Sequence, residues 1–245
     1  MLEVKDMSVS YGVGIIVEEI NIKVEKGETV ALLGPNGAGK STILRAVSGM
    51  INVMQSFGPR KPYVNGAIIF NNERIEKLKP YEIVKKGLVH CPERSRLFNR
   101  MSVLENLEMG AYPINDKSKV KAKLEEVFQL FPVLKETKDR RVTTLSGGER
   151  QMVTLGRALM ADPKMLLIDE PSFGLAPKFK DVIFDTINKI REETSVGILM
   201  VEQDVTRAFS VMDRGYLLEN GKIVVEGNKE ELSKDKRVKK VYLGI

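Results

Sequence analysis

Apolar and polar residues alternate from Leu2 to Ser10 and again over residues 20–25, the period-two pattern of strands with one buried face. Residues 28–33 form a different signal, a short apolar run that stops at Gly34. Beyond a glycine-rich stretch the period lengthens. Ile43, Leu44 and Val47 share one side of a helix predicted over 40–49, with Gly49 as its terminator. From Cys91 to about Asp139 the pattern is mostly helical, with Val103, Leu104 and Leu107 in one segment and Leu124, Val127, Phe128 and Phe131 in another. Helical spacing resumes after Ser146 and ends near Asp162-Pro163. Residues 165–168 and 196–201 are unbroken apolar runs, the mark of parallel strands buried on both faces, and a helix predicted over 178–192 lies between them. Residues 216–218 and 223–225, parted by Asn220-Gly221, read as a hairpin.

Helix, strand, helix, strand in the second half implies a parallel sheet with crossovers. The length of 245 residues fits one α/β domain spanning 1–245, with a helical subdomain at about 91–150. No run approaches the roughly 18 to 20 apolar residues of a spanning helix, so the chain is not expected to move a solute across a membrane alone. The amino terminus alternates and shows no signal-peptide block.

Cys91 and His90 are the only cysteine and histidine, which excludes a disulfide framework and a Cys/His metal cluster and fits a reducing, cytoplasmic setting. The net charge of +6 favours anionic partners only weakly, because basic residues are interleaved with acidic ones, as over 135–141.

Gly34-Pro35-Asn36-Gly37-Ala38-Gly39-Lys40-Ser41 fits the phosphate-binding pattern G-x-x-x-x-G-K-[ST]. Glycines let backbone N–H groups approach phosphate, the helix opening near Lys40 turns its positive end inward, and Lys40 is expected on the β/γ-phosphates of ATP. Ser41 is the expected Mg²⁺ ligand, with Thr42 a less certain neighbour. Phosphate cradling alone leaves GTPases, kinases, recombinases and transport ATPases open. Leu145-Ser-Gly-Gly-Glu-Arg-Gln151 adds a second signal, a Ser146-capped helix whose two glycines allow close approach of an anion.

With both motifs in order, the chain resembles the ATPases of ABC transporters. The resemblance implies an α/β P-loop NTPase fold with a central, mainly parallel sheet, an antiparallel β portion near the amino terminus and the helical subdomain. It also implies that Ser146, Gly147 and Gly148 complete the ATP site of an opposing subunit, so that catalysis needs a dimer. Residues 165–170 resemble the Walker B strand, which delivers Asp169 for Mg²⁺ and Glu170 as general base for the attacking water. Tyr11 resembles the aromatic residue that stacks on adenine, and residues 171–177 resemble the loop that touches the partner subunit.

Two positions depart from the family. Glu93, in Cys91-Pro92-Glu93-Arg94, replaces the glutamine of the Q-loop; its carboxylate is expected to face Mg²⁺ or its water, and the same loop to meet the membrane subunits. Gln203 replaces the switch histidine. Its amide can donate to the γ-phosphate but cannot titrate near neutrality, so hydrolysis is expected to lack a histidine-like inflection.

These departures, in Pro-Glu and Val-Glu-Gln, with Pro-Ser-Phe-Gly-Leu-Ala-Pro over 171–177 and Val-Tyr-Leu-Gly near the carboxyl terminus, resemble the LivF-type ATPases of branched-chain amino-acid transporters. That likeness implies transmembrane permease subunits, a second ABC ATPase in a hetero- or homodimer, an indirectly linked solute-binding protein, and a place on the inner face of the cell membrane. An ABC system with another cargo, a catalytically silent regulatory subunit and a soluble ABC protein acting on nucleic acid are the alternatives. No nucleic-acid partner is expected, because the chain has one cassette, no sustained heptads and no concentrated basic patch. The segment 54–62 is longer than the family pattern leads one to expect and reads as a surface insertion or a partner contact.

Overall fold

The computed structural model describes residues 1–12, 14–54, 61–93 and 96–243. Most of the 54–62 segment, at 55–60, lies outside the described residues, as does Arg94.

The chain opens with the antiparallel pair β1 (Leu2–Ser10) and β2 (Ile15–Val24), then enters β3 (Thr29–Leu33), whose end leads through the glycine loop into α1 (Lys40–Val47) and α2 (Met50–Met54). It returns to the first sheet as β4 (Tyr63–Phe70) and β5 (Glu73–Arg74), giving an antiparallel sheet of order β2-β1-β4-β5. After α3 (Pro80–Lys85), β6 (Leu88–Cys91) begins the far edge of a second sheet. The helices α4 (Val103–Gly110), α5 (Lys117–Leu130) and α6 (Pro132–Glu136) follow, and α7 (Gly147–Leu159) brings the chain back to β7 (Met165–Asp169). The remainder runs α8 (Pro177–Glu193), β8 (Gly197–Val201), α9 (Val205–Val211), the hairpin β9 (Arg214–Glu219) and β10 (Lys222–Asn228), α10 (Lys229–Lys234) and α11 (Lys236–Leu243). The second sheet has the order β10-β9-β3-β8-β7-β6 and is parallel except at the β10/β9 hairpin.

The apolar runs have a simple cause. In β3, Ala31 and Leu33 face one core while Val30 and Leu32 face another; β7 splits Leu166 and Ile168 from Met165 and Leu167, and β8 splits Ile198 and Met200 from Leu199 and Val201. Successive side chains point to opposite faces and both faces are covered, so the middle of each strand is apolar and polar residues stand only at strand ends, as Thr29 and Asp169 do. One core lies under α4 to α8; the other lies between this sheet, α1 and the antiparallel sheet.

The expected fold class is borne out in both sheets. Local differences have local reasons. β2 starts five residues before the alternating stretch because it is an edge strand, and its first residues Ile15 and Ile16 are exposed. β1 does not alternate evenly: Asp6 takes a left-handed φ of 48°, the register shifts there, and Val4, Met7 and Val9 all point inward. The limits of the helical region fall inside elements, since Cys91 closes β6, the first helix waits until Val103, and residue 150 lies within α7.

The hairpin tip positions the glycine loop. Asn220 and Gly221 both have positive φ, as the tight turn requires. Gly221 N–H donates to the Ala38 carbonyl at 3.1 Å, and Glu18 N–H donates to the Gly221 carbonyl at 2.9 Å. Loop, hairpin and β2 are thereby tied together.

Candidate nucleotide site

β3 is buried along its whole length, so the chain leaves the sheet at its carboxyl edge with Gly34, where parallel α/β sheets place ligands. Gly37 and Gly39 adopt φ of 81° and 104°; at Gly39 a Cβ would also stand 2.3 Å from Val17 Cγ1, so glycine is demanded there twice over. Lys40 is only 4% exposed, and its Nζ donates to the carbonyls of Gly34 at 2.7 Å and Pro35 at 3.0 Å. Burial lowers the lysine pKa, while Glu170, Asp169 and Glu202 pull it back up.

Ser41 Oγ donates to Asp169 Oδ1 at 2.9 Å, joining the first turn of α1 to the end of β7. Burial pushes the Asp169 carboxyl up to about 6, with Glu170 and Glu93 adding to the rise and the Ser41 bond and Arg45 opposing it. Glu170 follows in a left-handed conformation, φ 47°, and its N–H donates to the Val201 carbonyl at 2.9 Å. A non-glycine residue in that region stores backbone strain, and here the strain turns the carboxylate out of the strand.

Glu170 borders two depressions. One, of about 380 Å³, is lined by Tyr11, Ile16, Asn36, Gly37, Gly39, Lys40, Ser41, Thr42 and Arg45 as well. The other, of about 260 Å³, holds Ser172, Glu202, Gln203 and Asp204. Tyr11 packs against the core with its hydroxyl buried and without a partner among the described residues. Glu93 lies outside the glycine-loop depression; it lines a groove of about 690 Å³ with Asp169, Arg45, His90 and Arg96, where its charge reaches Asp169.

The signature residues form a second station. Ser146 Oγ accepts from Glu149 N–H at 3.3 Å and Glu149 Oε2 accepts from Ser146 N–H at 2.7 Å, a reciprocal cap at the start of α7. Ser146 and Gly147 are exposed, whereas Gly148 is buried, and a Cβ on it would stand 2.2 Å from the Phe179 ring. Packing of α7 on α8 therefore explains the second glycine. Ser146 borders a groove with Met152, Phe179 and Val182 that shares no residue with the glycine-loop depression.

The donor set suits Mg²⁺. Ser41 and Asp169 offer two hard oxygens, and no group of three or more His, Cys, Asp or Glu side chains among the described residues could hold a metal unaided. An ion that keeps its waters and takes remaining oxygens from phosphate matches such a partial shell. Sequence reading passed over Ile16, Arg45 and Glu202. The apolar stretch at 15–16 was a signal for the first; nothing local marks the others, because their roles depend on what folds against them.

A glycine loop on a buried parallel strand, a hydroxyl–carboxylate pair beside a buried lysine, and a capped LSGGE helix together define an ABC-type ATPase, and the chain belongs to this family: the model of the ABC transporter family matches residues 17–173. It is 40% identical, over the full length of both chains, to the high-affinity branched-chain amino acid transport ATP-binding protein BraG of Pseudomonas aeruginosa. It is 34% identical to the probable branched-chain amino acid transport ATP-binding protein LivF of Archaeoglobus fulgidus, covering 100% of this chain and 99% of the relative. The lipopolysaccharide export system ATP-binding protein LptB of Escherichia coli is 32% identical, with 99% and 97% covered. Among solved structures, the ADP conformation of an ATP-binding cassette of an ABC transporter superposes with a TM-score of 0.83 at 27% identity, covering 100% of this chain and 99% of that one. The protein is thus the ATP-binding, ATP-hydrolysing subunit of an ABC transporter, a type of subunit that works on membrane permease partners. No helix among the described residues is long and apolar enough to cross a membrane.

Proposed function

We propose that this ATPase energises uptake of branched-chain amino acids, acting on the inner, cytoplasmic face of the membrane with a second ABC ATPase, two permease subunits and a solute-binding protein. The two full-length relatives named for branched-chain amino acid transport, at 40% and 34% identity, support this cargo over lipopolysaccharide, for which the relative is 32% identical. The permease docks in the groove beside Glu93, whose apolar wall includes Met50, Met54, Pro80 and Val84.

The observation that carries the catalytic reading is the Ser41–Asp169 hydrogen bond next to Lys40, with Glu170 on the rim of the same depression. Lys40, held at the loop by two carbonyls, turns its remaining donor to the β/γ-phosphates, and the backbone N–H groups of Gly37 and of Gly39 to Thr42 follow the phosphate chain. Adenine stacks on Tyr11 beside Ile16. Ser41 and Asp169 would hold Mg²⁺ and Glu93 would face its water; when bound, the ion would neutralise charge on the phosphates. Glu170 orients the attacking water and takes its proton, and the Gln203 amide donates to the γ-phosphate. Ser146, Gly147 and the Gly148 amide face the γ-phosphate of a second subunit, so binding closes a dimer and hydrolysis reopens it.

Size-exclusion chromatography with light scattering, on wild type and Glu170→Gln with and without Mg-ATP, tests this together with phosphate release. The variant is expected to trap an ATP dimer while hydrolysis falls about 100- to 10,000-fold. Wild-type turnover in Glu170→Gln would remove the assignment.

A further inference from the structure

Three charged side chains are buried among the described residues: Lys40, Asp169 and Glu202. The first two belong to the nucleotide site. Glu202, 2% exposed just after β8, does not line the glycine-loop depression, yet a buried carboxylate costs far more free energy than the leucine or valine that the neighbouring β8 positions carry. Such a group persists where its hydrogen bonds hold something in place.

Its Oε1 accepts from two separate loops. Ser172 Oγ donates at 3.0 Å, from the loop that leaves β7 and carries Glu170 two residues earlier. Gln203 N–H at 2.8 Å and Asp204 N–H at 3.0 Å donate from the loop that leaves β8. Oε2 is also buried and has no partner among the described residues. Burial raises the carboxyl's pKa, while the amides of Asp204 and Gln203 and both the hydroxyl and the amide of Ser172 favour its charged form. The depression of about 260 Å³ between the loops is bordered by Glu170, Ser172, Glu202 and Gln203 together.

We propose that Glu202 is a positioning residue that staples the Glu170 loop to the Gln203 loop, so that the base and the phosphate-facing amide approach the nucleotide as one unit. The inference rests on the roles given above to Glu170 and Gln203. Glu202 touches neither phosphate nor water; it sets the separation of groups that do, and a misplacement of about 1 Å in such groups costs about 100-fold in rate.

Steady-state phosphate release, in the assembly in which wild type turns over, tests the staple with Glu202→Ala, Glu202→Gln, Ser172→Ala and the Glu202→Ala/Ser172→Ala double variant, beside Glu170→Gln and thermal unfolding. Glu202→Ala is expected to lower kcat about 10- to 100-fold with the KM for ATP changed less than about threefold. Glu202→Gln, which keeps the Oε1 acceptor, is expected to restore kcat to within about threefold of wild type, and Ser172→Ala to fall between, with no further loss in the double variant. If Glu202→Ala does not fold, the Glu202→Gln and Ser172→Ala pair decides. Wild-type kcat in Ser172→Ala, glutamine as damaging as alanine, or losses in kcat and KM that merely follow a lowered Tm would overturn the staple. A Glu170→Gln chain that hydrolyses normally would overturn the site reading instead.

Discussion

The glycine loop and the signature helix both present backbone amides at a helix amino terminus, but the loop end keeps its lysine and facing carboxylate buried, whereas Ser146 and Gly147 are exposed. Lys40 is buried and bonded to two carbonyls, and Ser41 is bonded to Asp169 across the sheet. At α7, Ser146 and Gly147 stand exposed, and the groove that Ser146 borders is separate from the loop depression. A helix amino terminus attracts an anion through its dipole and free amides in either case. What distinguishes the two is that one end sits on a buried sheet with its counter-charges in place, while the other offers amides to whatever approaches from outside.

Lys40→Ala should break the glycine-loop half most severely. It removes a buried ammonium whose charge interacts with Glu170, Asp169 and Glu202, and ATP affinity measured by calorimetry is expected to fall about 100-fold, roughly one charged hydrogen bond. Unchanged affinity would mean the phosphates lie elsewhere.

The two signature glycines sharpen the contrast within the signature half. At Gly147 a Cβ finds only Leu175 Cδ2 at 3.7 Å, an ordinary contact, so Gly147→Ala is expected to leave the Tm unchanged while phosphate release falls about tenfold through obstruction of the facing phosphate, about 1.4 kcal/mol. Gly148→Ala meets the Phe179 ring and is expected to cost about 1–3 kcal/mol of stability by denaturant unfolding, with Phe179→Ala non-additive in the same chain. Equal effects at both positions would erase the distinction between approach and packing.

The smallest effect concerns His90, on the wall of the groove assigned to the permease. Burial, helped by Arg45 and Arg96, lowers its pKa from 6.5 to about 4. The unfolded chain therefore binds this proton first as the pH falls. Its contribution is complete above pH 6.5 and is lost as the pH drops toward 4. His90→Gln is expected to give a shallower fall of stability between those values in denaturant titrations. An unaltered slope would show that other groups dominate the acid limb.

Much of the molecule was legible because its constraints are local. β7 and β8 are announced by unbroken apolar runs, the hairpin by Asn220-Gly221, and Ser146 caps α7 through a glutamate three residues on. The bulge at Asp6 and the early start of β2 were not legible, since pairing across the sheet creates both. Glu202 was hidden for the same reason: an acid ending an apolar run looks like an exit to solvent until Ser172 folds over it.

By itself the sequence announced β1, β3, β7 and β8, the β9/β10 hairpin, the main helices and the glycine loop proposed to meet phosphate, because periodicity and glycine spacing act over a few neighbours. Only the tertiary structure decided that Ser41 meets Asp169, that Gly148 serves packing, that Glu93 sits in the groove, and that Glu202 joins two loops. Each of those depends on residues up to more than a hundred positions apart, brought together when both faces of the central sheet are covered and polar groups left inside must find partners.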